Sequence, residues 1–325
     1  MMEDLIIDKE VPTQYPLVSV VVVTYNSSAT VIETLDSIKS QTYKSIELIV
    51  TDDCSHDNTI SVVKQWLDEN SSRFVSAELV TSEKNTGVSG NLIRGIRNSH
   101  GDWIKSIAGD DLLIPSAIEV FVRFVQNHDE RVRMCVCDVE PFSAESPLDP
   151  KFIELYKHYF MLESESYENQ RKRVMTQMIF VGPAYFYSRE LYDEIGGYSD
   201  KYGCAEEWPF VYKILMTGNR IYTLNKKLVR YRVSLSSLCN SRDDRNLGNK
   251  RVFEGMYNFF FDYPFKKLVK TGNIFVAWHY ALYYWGRKLQ YKFDNHIVRK
   301  VIGKTSRALS PLTYLKKLHL SNTLE

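Results

Sequence analysis

The ordered pattern of the chain begins with an unbroken apolar run, Leu17-Val18-Ser19-Val20-Val21-Val22-Val23-Thr24. Continuous β-branched residues without alternation mark a strand covered on both faces. The run stops at Tyr25-Asn26-Ser27-Ser28, and a helix is predicted over about 30–40. The alternation then repeats. A strand is predicted over 46–51, followed by a polar turn over 52–57 in which Ser55 N-caps a helix to about residue 70. A strand over 74–81, a helix over 88–99 and a strand over 103–108 follow, and Pro115 opens a further helix at its first position. Cys135 and Cys137 alternate along another strand. From 140 to 176 the pattern loosens into polar, aromatic, helical sequence without a strand signal. Strand character returns over 177–188 around Gly182-Pro183, and a short helix over 189–195 ends at Gly196-Gly197. A helix over 206–216 and two short strands over 220–233 complete this part. Beyond Ser241 the pattern is helical, over 244–261, 273–291 and 295–309.

Strands separated by helices imply βαβ units, so the fold class is α/β with a mainly parallel sheet. Ligands in such sheets bind at the carboxyl ends of the strands. Those ends are Thr24-Tyr25-Asn26, Asp52-Asp53, the 82–87 loop and Gly109-Asp110-Asp111, four polar loops that converge on one crevice. No Gly-x-Gly-x-x-Gly follows the first strand and no Gly-Lys-Ser/Thr loop is present, which argues against a dinucleotide-binding Rossmann domain and a P-loop. A nucleotide would have to be held by side chains and a metal.

Composition adds a polarity between the two ends. The 325 residues carry a net charge of +1, but residues 265–325 hold twelve Lys or Arg against two acids. The rest of the chain is correspondingly acidic, at −9. Lys266, Lys267, Lys270, Arg287, Lys288, Lys292, Arg299 and Lys300 interleave with Trp278, Tyr280, Tyr283, Tyr284 and Trp285. This reads either as a surface for anionic lipid head groups or a phosphorylated carrier, or as a solvated helical face whose aromatics pack on the body or form a homodimer interface. The expectation is peripheral attachment to the inner face of the cytoplasmic membrane; nucleic acid is not an expected partner. The five cysteines have no metal-ligand spacing, and the polar, acidic first sixteen residues do not read as a secretory signal, so reduced thiols in the cytoplasm are expected.

Asp110-Asp111, two carboxylates at a strand end, form a hard oxygen site suited to Mg²⁺ or Mn²⁺ that could bridge a diphosphate; alternatively one caps the next helix and the other is solvated. Asp52-Asp53 could accept from a base N–H and Tyr25 could pack on a base or ribose, although such residues also serve turns. Glu206-Glu207-Trp208 opens a helix, where a carboxylate acts either as a general base or as a cap.

Val20-Val21-Val22-Val23-Thr24-Tyr25-Asn26, Glu47-Leu48-Ile49-Val50-Thr51-Asp52-Asp53-Cys54-Ser55, Asn85-x-Gly87 and Gly101-Asp102-Trp103 leading to Gly109-Asp110-Asp111 together resemble the inverting family 2 glycosyltransferases. The resemblance continues more weakly through Gly182-Pro183, Gly196-Gly197-Tyr198, Glu206-Glu207-Trp208 and Tyr231-Arg232, so it spans residues 17 to 237. It implies a GT-A fold with a mixed, mainly parallel sheet, and a nucleoside-diphosphate sugar donor, most often a UDP-sugar. It also implies inversion at the anomeric centre and a place in bacterial O-antigen or capsule synthesis, with a glycan or polyprenyl-diphosphate-linked glycan as acceptor. By position, Thr24, Tyr25 and Asp53 would hold the nucleoside, with Asn26 and Asp52 beside it. Asp110 or Asp111 would ligate Mn²⁺ or Mg²⁺, Asp110 also reaching the donor, and Glu207 would be the base, with Glu206 as competitor. Asn85, Asn91 and Arg94 are further donor-site candidates, the last two shifted from the family's usual arrangement.

Three positions depart from that family. Ala108 stands where many members have the first Asp of an Asp-x-Asp motif, Glu207 replaces the commoner Asp, and Ser234 takes the place of a His near the diphosphate. The implied layout is an N-terminal extension (1–16), a catalytic domain (17–240) with a nucleotide-binding half (17–135) and an acceptor-binding half (136–240), and a C-terminal helical region (241–325). Two other readings remain: a GT-A-like scaffold that has lost catalysis, favoured by Ala108 and Ser234, and a sugar nucleotidyltransferase, disfavoured by Thr-Tyr-Asn-Ser-Ser where a basic glycine-rich loop is needed.

Overall fold

A computed structural model describes residues 15–128, 131–143, 164–234, 249–293 and 295–310, with 147, 148, 150 and 153. Eight strands form one mixed sheet in the order β3-β2-β1-β4-β7-β6-β8-β5. Its centre is β1 (Val18–Thr24), which pairs in parallel with β2 (Ile46–Asp52) on one side and β4 (Trp103–Ala108) on the other. β3 (Ser76–Thr81) extends the parallel half beyond β2. Every residue of β2 is buried and β1 is nearly so, which accounts for their unbroken apolar runs. Helices α1 (Val31–Lys39), α2 (Thr59–Asn70) and α3 (Gly87–Arg97) connect these strands.

The second half of the sheet turns antiparallel. β7 (Tyr185–Ser188) pairs antiparallel with β4 and with β6 (Met134–Phe142), and β8 (Tyr222–Arg232) runs parallel to β6. The far end of β8 pairs with a two-residue strand, β5 (Leu112–Leu113), directly after the acidic pair. This half also holds α4 (Ala117–Asn127), α5 (Tyr167–Val174), α6 (Arg189–Glu194) and α7 (Glu207–Met216). The structure is therefore a mostly parallel, mixed open sheet flanked by helices, as the chain's pattern implies.

Several local expectations are corrected. Residues 220–233 form one strand rather than two, because the polar stretch Asn225-Lys226-Lys227 lies on an exposed part of β8 opposite a register irregularity around Asp138 of β6. Ser55 does not cap α2, whose N-cap is Asn58; its hydroxyl instead donates to Asp52. Pro115 precedes α4 and lends its carbonyl to Thr42 N–H. β3 starts only after a 3-10 turn, Ser71–Arg73, and the strand over 177–188 shrinks to β7 behind a second turn at Gly182–Ala184. Cys54, Cys135, Cys137 and Cys204 are free thiols.

The chain divides into two compact units. The second comprises 235–325 with the short pieces 175–177 and 201–205. Its described helices are α8 (Lys250–Asp262), α9 (Pro264–Lys270), α10 (Ile274–Gln290) and α11 (His296–Ala308). α9 is unforeseen: Pro264 starts it at N1. Residues 244–248 of the predicted first helix lie outside the described residues. Phe260 stacks on Tyr284 with ring centroids 4.7 Å apart, and Phe259 packs edge-on to Tyr202. Among the described residues no helix is long and apolar enough to cross a membrane.

Gly95 marks where α3 lies against the sheet. A Cβ there would stand 2.6 Å from Val21 Cγ1 and 2.8 Å from Thr51 Cγ2. Gly95→Ala is expected to cost about 1–3 kcal/mol through overpacking. Urea denaturation checks this, and an unchanged midpoint would show that α3 shifts freely on β1 and β2.

Candidate active site

The loops after β1 and β2 lock each other. Asn26 and Cys54 adopt positive φ (50° and 66°), sharp reversals that non-glycine residues adopt only when their surroundings hold them. Asn26 N–H donates to Ser55 Oγ at 2.8 Å, and Asn26 Oδ1 accepts from His56 N–H at 2.9 Å. Asp52 lies beneath, fully buried, accepting from Thr24 Oγ1 (2.9 Å), Ser55 N–H (2.8 Å) and Ser55 Oγ (2.6 Å). Tyr25 stands out from this clamp with 45% of its surface exposed.

Asp53 anchors the start of α3. Its carboxylate accepts from Thr86 N–H, Thr86 Oγ1, Gly87 N–H and Arg94. Burial alone would raise its pKa, but these donors hold it below the usual carboxylate range. Asn85 Oδ1 also accepts from Gly87 N–H. Asn91 is buried with its amide used on both ends: Nδ2 donates to the Thr24 and Thr51 carbonyls, and Oδ1 accepts from Thr51 Oγ1 and Arg94. Of the predicted donor-site residues, Thr24, Asn26, Asp52, Asp53, Asn85, Asn91 and Arg94 bond within the loops at the ends of β1 and β2, Tyr25 stands out from them, and Asp110 lies beyond the end of β4.

At the end of β4 the acidic pair is not a helix cap, since α4 takes Ser116 as its N-cap. Asp111 is 1% exposed; its Oδ1 accepts from Arg232 N–H at 2.8 Å, and its Oδ2 is buried without a partner. Burial, then the neighbouring Asp110 charge, pushes the Asp111 carboxyl well above its ordinary range, against the opposing pull of Arg232 and Lys105. Burial also raises Asp110, opposed by the Arg232 guanidinium. Two adjacent carboxylates, one with an orphaned buried oxygen, fit a hard divalent cation. Among the described residues no three His, Cys, Asp or Glu side chains converge as a metal cluster.

Glu206 and Glu207 do not cap α7. Glu206 holds the N-cap position without a side-chain cap bond, and Glu207 Oε1 accepts from Gly182 N–H at 2.5 Å. A Cβ on Gly182 would lie 2.5 Å from that oxygen, so only glycine admits the carboxylate. Trp208 fixes the helix start by donating to the Val174 carbonyl. Both glutamates keep part of their surface open, yet Glu206 Oε2 is buried without a partner. Burial raises Glu206 to about 7, against a bond from Ser89. Burial and then the Glu206 charge raise Glu207 to about 8.

Two residues outside the predicted set join these features. Lys105, fully buried on β4, donates to the carbonyls of Ser106 (2.6 Å) and Pro183 (2.7 Å), and its charge is felt at Asp111. It links the strand carrying the acidic pair to the loop that receives Glu207. Burial lowers it to about 8. Arg232 binds Asp111 through its N–H, the Asp110 carbonyl through Nε (2.8 Å) and Glu33 at 2.8 Å. A lysine interrupting an otherwise apolar buried strand was the available signal for the first. Nothing short-range marks the second, 121 positions from Asp111.

Residues 19–196, more than half of the chain, match Glycosyl transferase family 2, and the chain belongs to that family. EpsE of Bacillus subtilis (strain 168) is 36% identical over 113 residues, 35% of this chain and 40% of that protein. The uncharacterized glycosyltransferase RT0329 of Rickettsia typhi is 23% identical over 268 residues, 81% of this chain and 76% of its own. Among solved structures, residues 1-349 of S. aureus TarS in complex with UDP-GlcNAc superpose with TM-score 0.58 at 16% identity, over 83% of this chain and 72% of that one. The mannosyltransferase PcManGT from Pyrobaculum calidifontis, in complex with GDP-Man and Mn2+, gives 0.55 at 18% identity, over 96% and 82%. These likenesses define the GT-A fold.

The raised glutamates carry a stability signature. A carboxyl whose folded pKa exceeds its ordinary value of 4.5 binds more protons folded than unfolded, so stability falls as pH rises from there to about 8. Glu206→Gln and Glu207→Gln are expected to match the parent chain near pH 5 and to melt at higher temperature at pH 9. Melting curves across pH check this; variants no more stable at pH 9 would show that these carboxyls are not held neutral by burial.

Proposed function

We propose that the chain transfers a sugar from a nucleoside-diphosphate donor, a UDP-sugar, to an acceptor hydroxyl with inversion. The observation that carries this reading is the pair of partly buried acidic dyads, Asp110-Asp111 and Glu206-Glu207, each with a buried carboxylate oxygen left without a partner, tied together through Lys105 and the 182–183 loop. Such groups are costly to bury and are kept where charge is to be handled. The UDP-GlcNAc and GDP-Man held by the fold relatives TarS and PcManGT support the donor class.

Tyr25 packs on the base or ribose, while Thr24, Asn26, Asp52, Asp53, Asn85, Asn91 and Arg94 shape the nucleoside site by fixing the loops beneath it. Asp110 and Asp111 hold Mn²⁺ or Mg²⁺, which when bound neutralises charge on the diphosphate. Glu207, with a pKa near the working pH, takes the acceptor proton. The acceptor oxygen bonds to the anomeric carbon from the face opposite the leaving group, and the sugar–phosphate bond breaks with its electron pair going to the nucleoside diphosphate. Lys105 keeps the loop behind Glu207 in register with β4. The acceptor is a glycan, free or on a polyprenyl diphosphate, in O-antigen or capsule assembly at the cytoplasmic side of the membrane. Ala108 and Ser234 favour a second reading, a non-catalytic scaffold of the same fold.

The test is a screen of nucleoside-diphosphate sugars with Mn²⁺ or Mg²⁺, following nucleoside diphosphate release and, with an acceptor, the anomeric configuration of the product by NMR. The expected result is metal-dependent turnover, abolished in Asp111→Ala and lowered at least about 100-fold in Glu207→Gln, with activity rising as pH increases through about 8. Nucleotide-sugar binding without turnover under any of these conditions would favour the scaffold; pyrophosphate release from a nucleoside triphosphate and a sugar phosphate would indicate a nucleotidyltransferase.

A further inference from the structure

We propose that the outward face of α10 is a docking surface for an anionic lipid bilayer. At 100° per residue, Ile274, Phe275, Trp278, Leu282, Trp285 and Leu289 fall within one stripe about 100° wide. Ala277, Ala281 and Tyr284, at about 280–340° on the same scale, form the flank of the helix that is buried within the same unit. The stripe is open: Phe275 is 65% exposed, Ile274 59%, Trp278 46% and Trp285 40%. Four turns of contiguous apolar surface exceed the scattered hydrophobic residues of an ordinary surface.

The charges around the stripe choose its occupant. From 264 to 310 the sequence contains a single acid, Asp294. Lys266, Lys267 and Lys270 on α9, Lys292 after α10, and Lys300 and Lys304 on α11 are all exposed. A second copy of this chain would bring cations against cations. Nucleic acid would satisfy the lysines but leave the isoleucine, phenylalanine and leucine without a partner. An anionic bilayer meets both demands, with head groups for lysines and the acyl boundary for the apolar stripe. The two tryptophans suit the interface between these layers. α10 has 17 residues and spans about 25 Å, less than a bilayer core, so it lies on the surface and does not cross it. This surface is independent of the donor and acceptor assigned above.

The experiment uses the full chain with vesicles of phosphatidylglycerol and phosphatidylcholine, compared with phosphatidylcholine alone, in a flotation assay at 50 mM and 500 mM salt. The expected result is flotation with anionic vesicles at low salt, at least ten-fold less with neutral vesicles or high salt, and tryptophan quenching by brominated lipid. Trp278→Ser/Trp285→Ser should lower flotation at least ten-fold with an unchanged melting temperature and unchanged lipid-free hydrolysis of the donor. Lys266→Glu/Lys267→Glu/Lys270→Glu should remove the preference for anionic lipid. No flotation at low salt would overturn the proposal. So would equal flotation of the tryptophan variant, or a dimer in light scattering that the same variant dissociates while vesicles bind neither protein.

Discussion

Lys105 reaches from the middle of β4 into a fully buried position and donates to two carbonyls, those of Ser106 and Pro183. Among the described residues no carboxylate is hydrogen-bonded to it, and its charge is felt at Cys137 and at Asp111. The Pro183 bond fixes the turn whose neighbouring N–H, that of Gly182, meets Glu207. One buried ammonium therefore sets the relation between the strand end that carries two aspartates and the helix start that carries two glutamates. The pairing of β4 with β7, where the parallel half of the sheet meets its antiparallel continuation, spans only two residue pairs, and the Pro183 bond adds to that short seam.

The dyads at either end of this link are built differently. Asp110 and Asp111 sit on a strand end where a guanidinium and a main-chain N–H already temper their repulsion. Among the described residues no cation acts on Glu206 or Glu207; the Glu206 and Gly182 amides and the Ser89 hydroxyl oppose the effect of their burial. The first arrangement leaves a carboxyl pair that a bound cation would draw into the charged form, and the second a group that exchanges a proton near neutral pH. The longer glutamate at 207 reaches the 182 loop because that loop offers a bare glycine.

β1 and β2, at the centre of the parallel half, were legible because they are buried on both faces and read as plain apolar runs. Legibility declined where a strand touched solvent: the exposed lysines of β8 imitate a turn, and two-residue β5 is too short to leave a pattern. Ser55 looked like a helix cap because caps and loop clamps call for the same hydroxyl, and only the proximity of Asp52 in space decides between them. Asp110-Asp111 was singled out by residue type and strand-end placement, and Glu206-Glu207 by its place at a helix start together with the family resemblance. The contacts that set their protonation, from Lys105, Arg232 and Gly182, join residues far apart in the chain and leave no short-range trace.

Asp111 is held by the main-chain N–H of residue 232 and not by that residue's side chain. Every amino acid but proline carries that donor, so substitutions can accumulate at 232, removing the guanidinium over evolutionary time, while the carboxylate stays seated. A one-residue insertion or deletion in β8 has the opposite effect: it keeps the composition and shifts the register, presenting Asp111 with an outward-facing amide or none. The seat of Asp111 is thus robust to drift in spelling and fragile to drift in length, and divergent members of this lineage should preserve the spacing of the strand that contains residue 232 even where its side chain, which here binds the Asp110 carbonyl and Glu33, has changed.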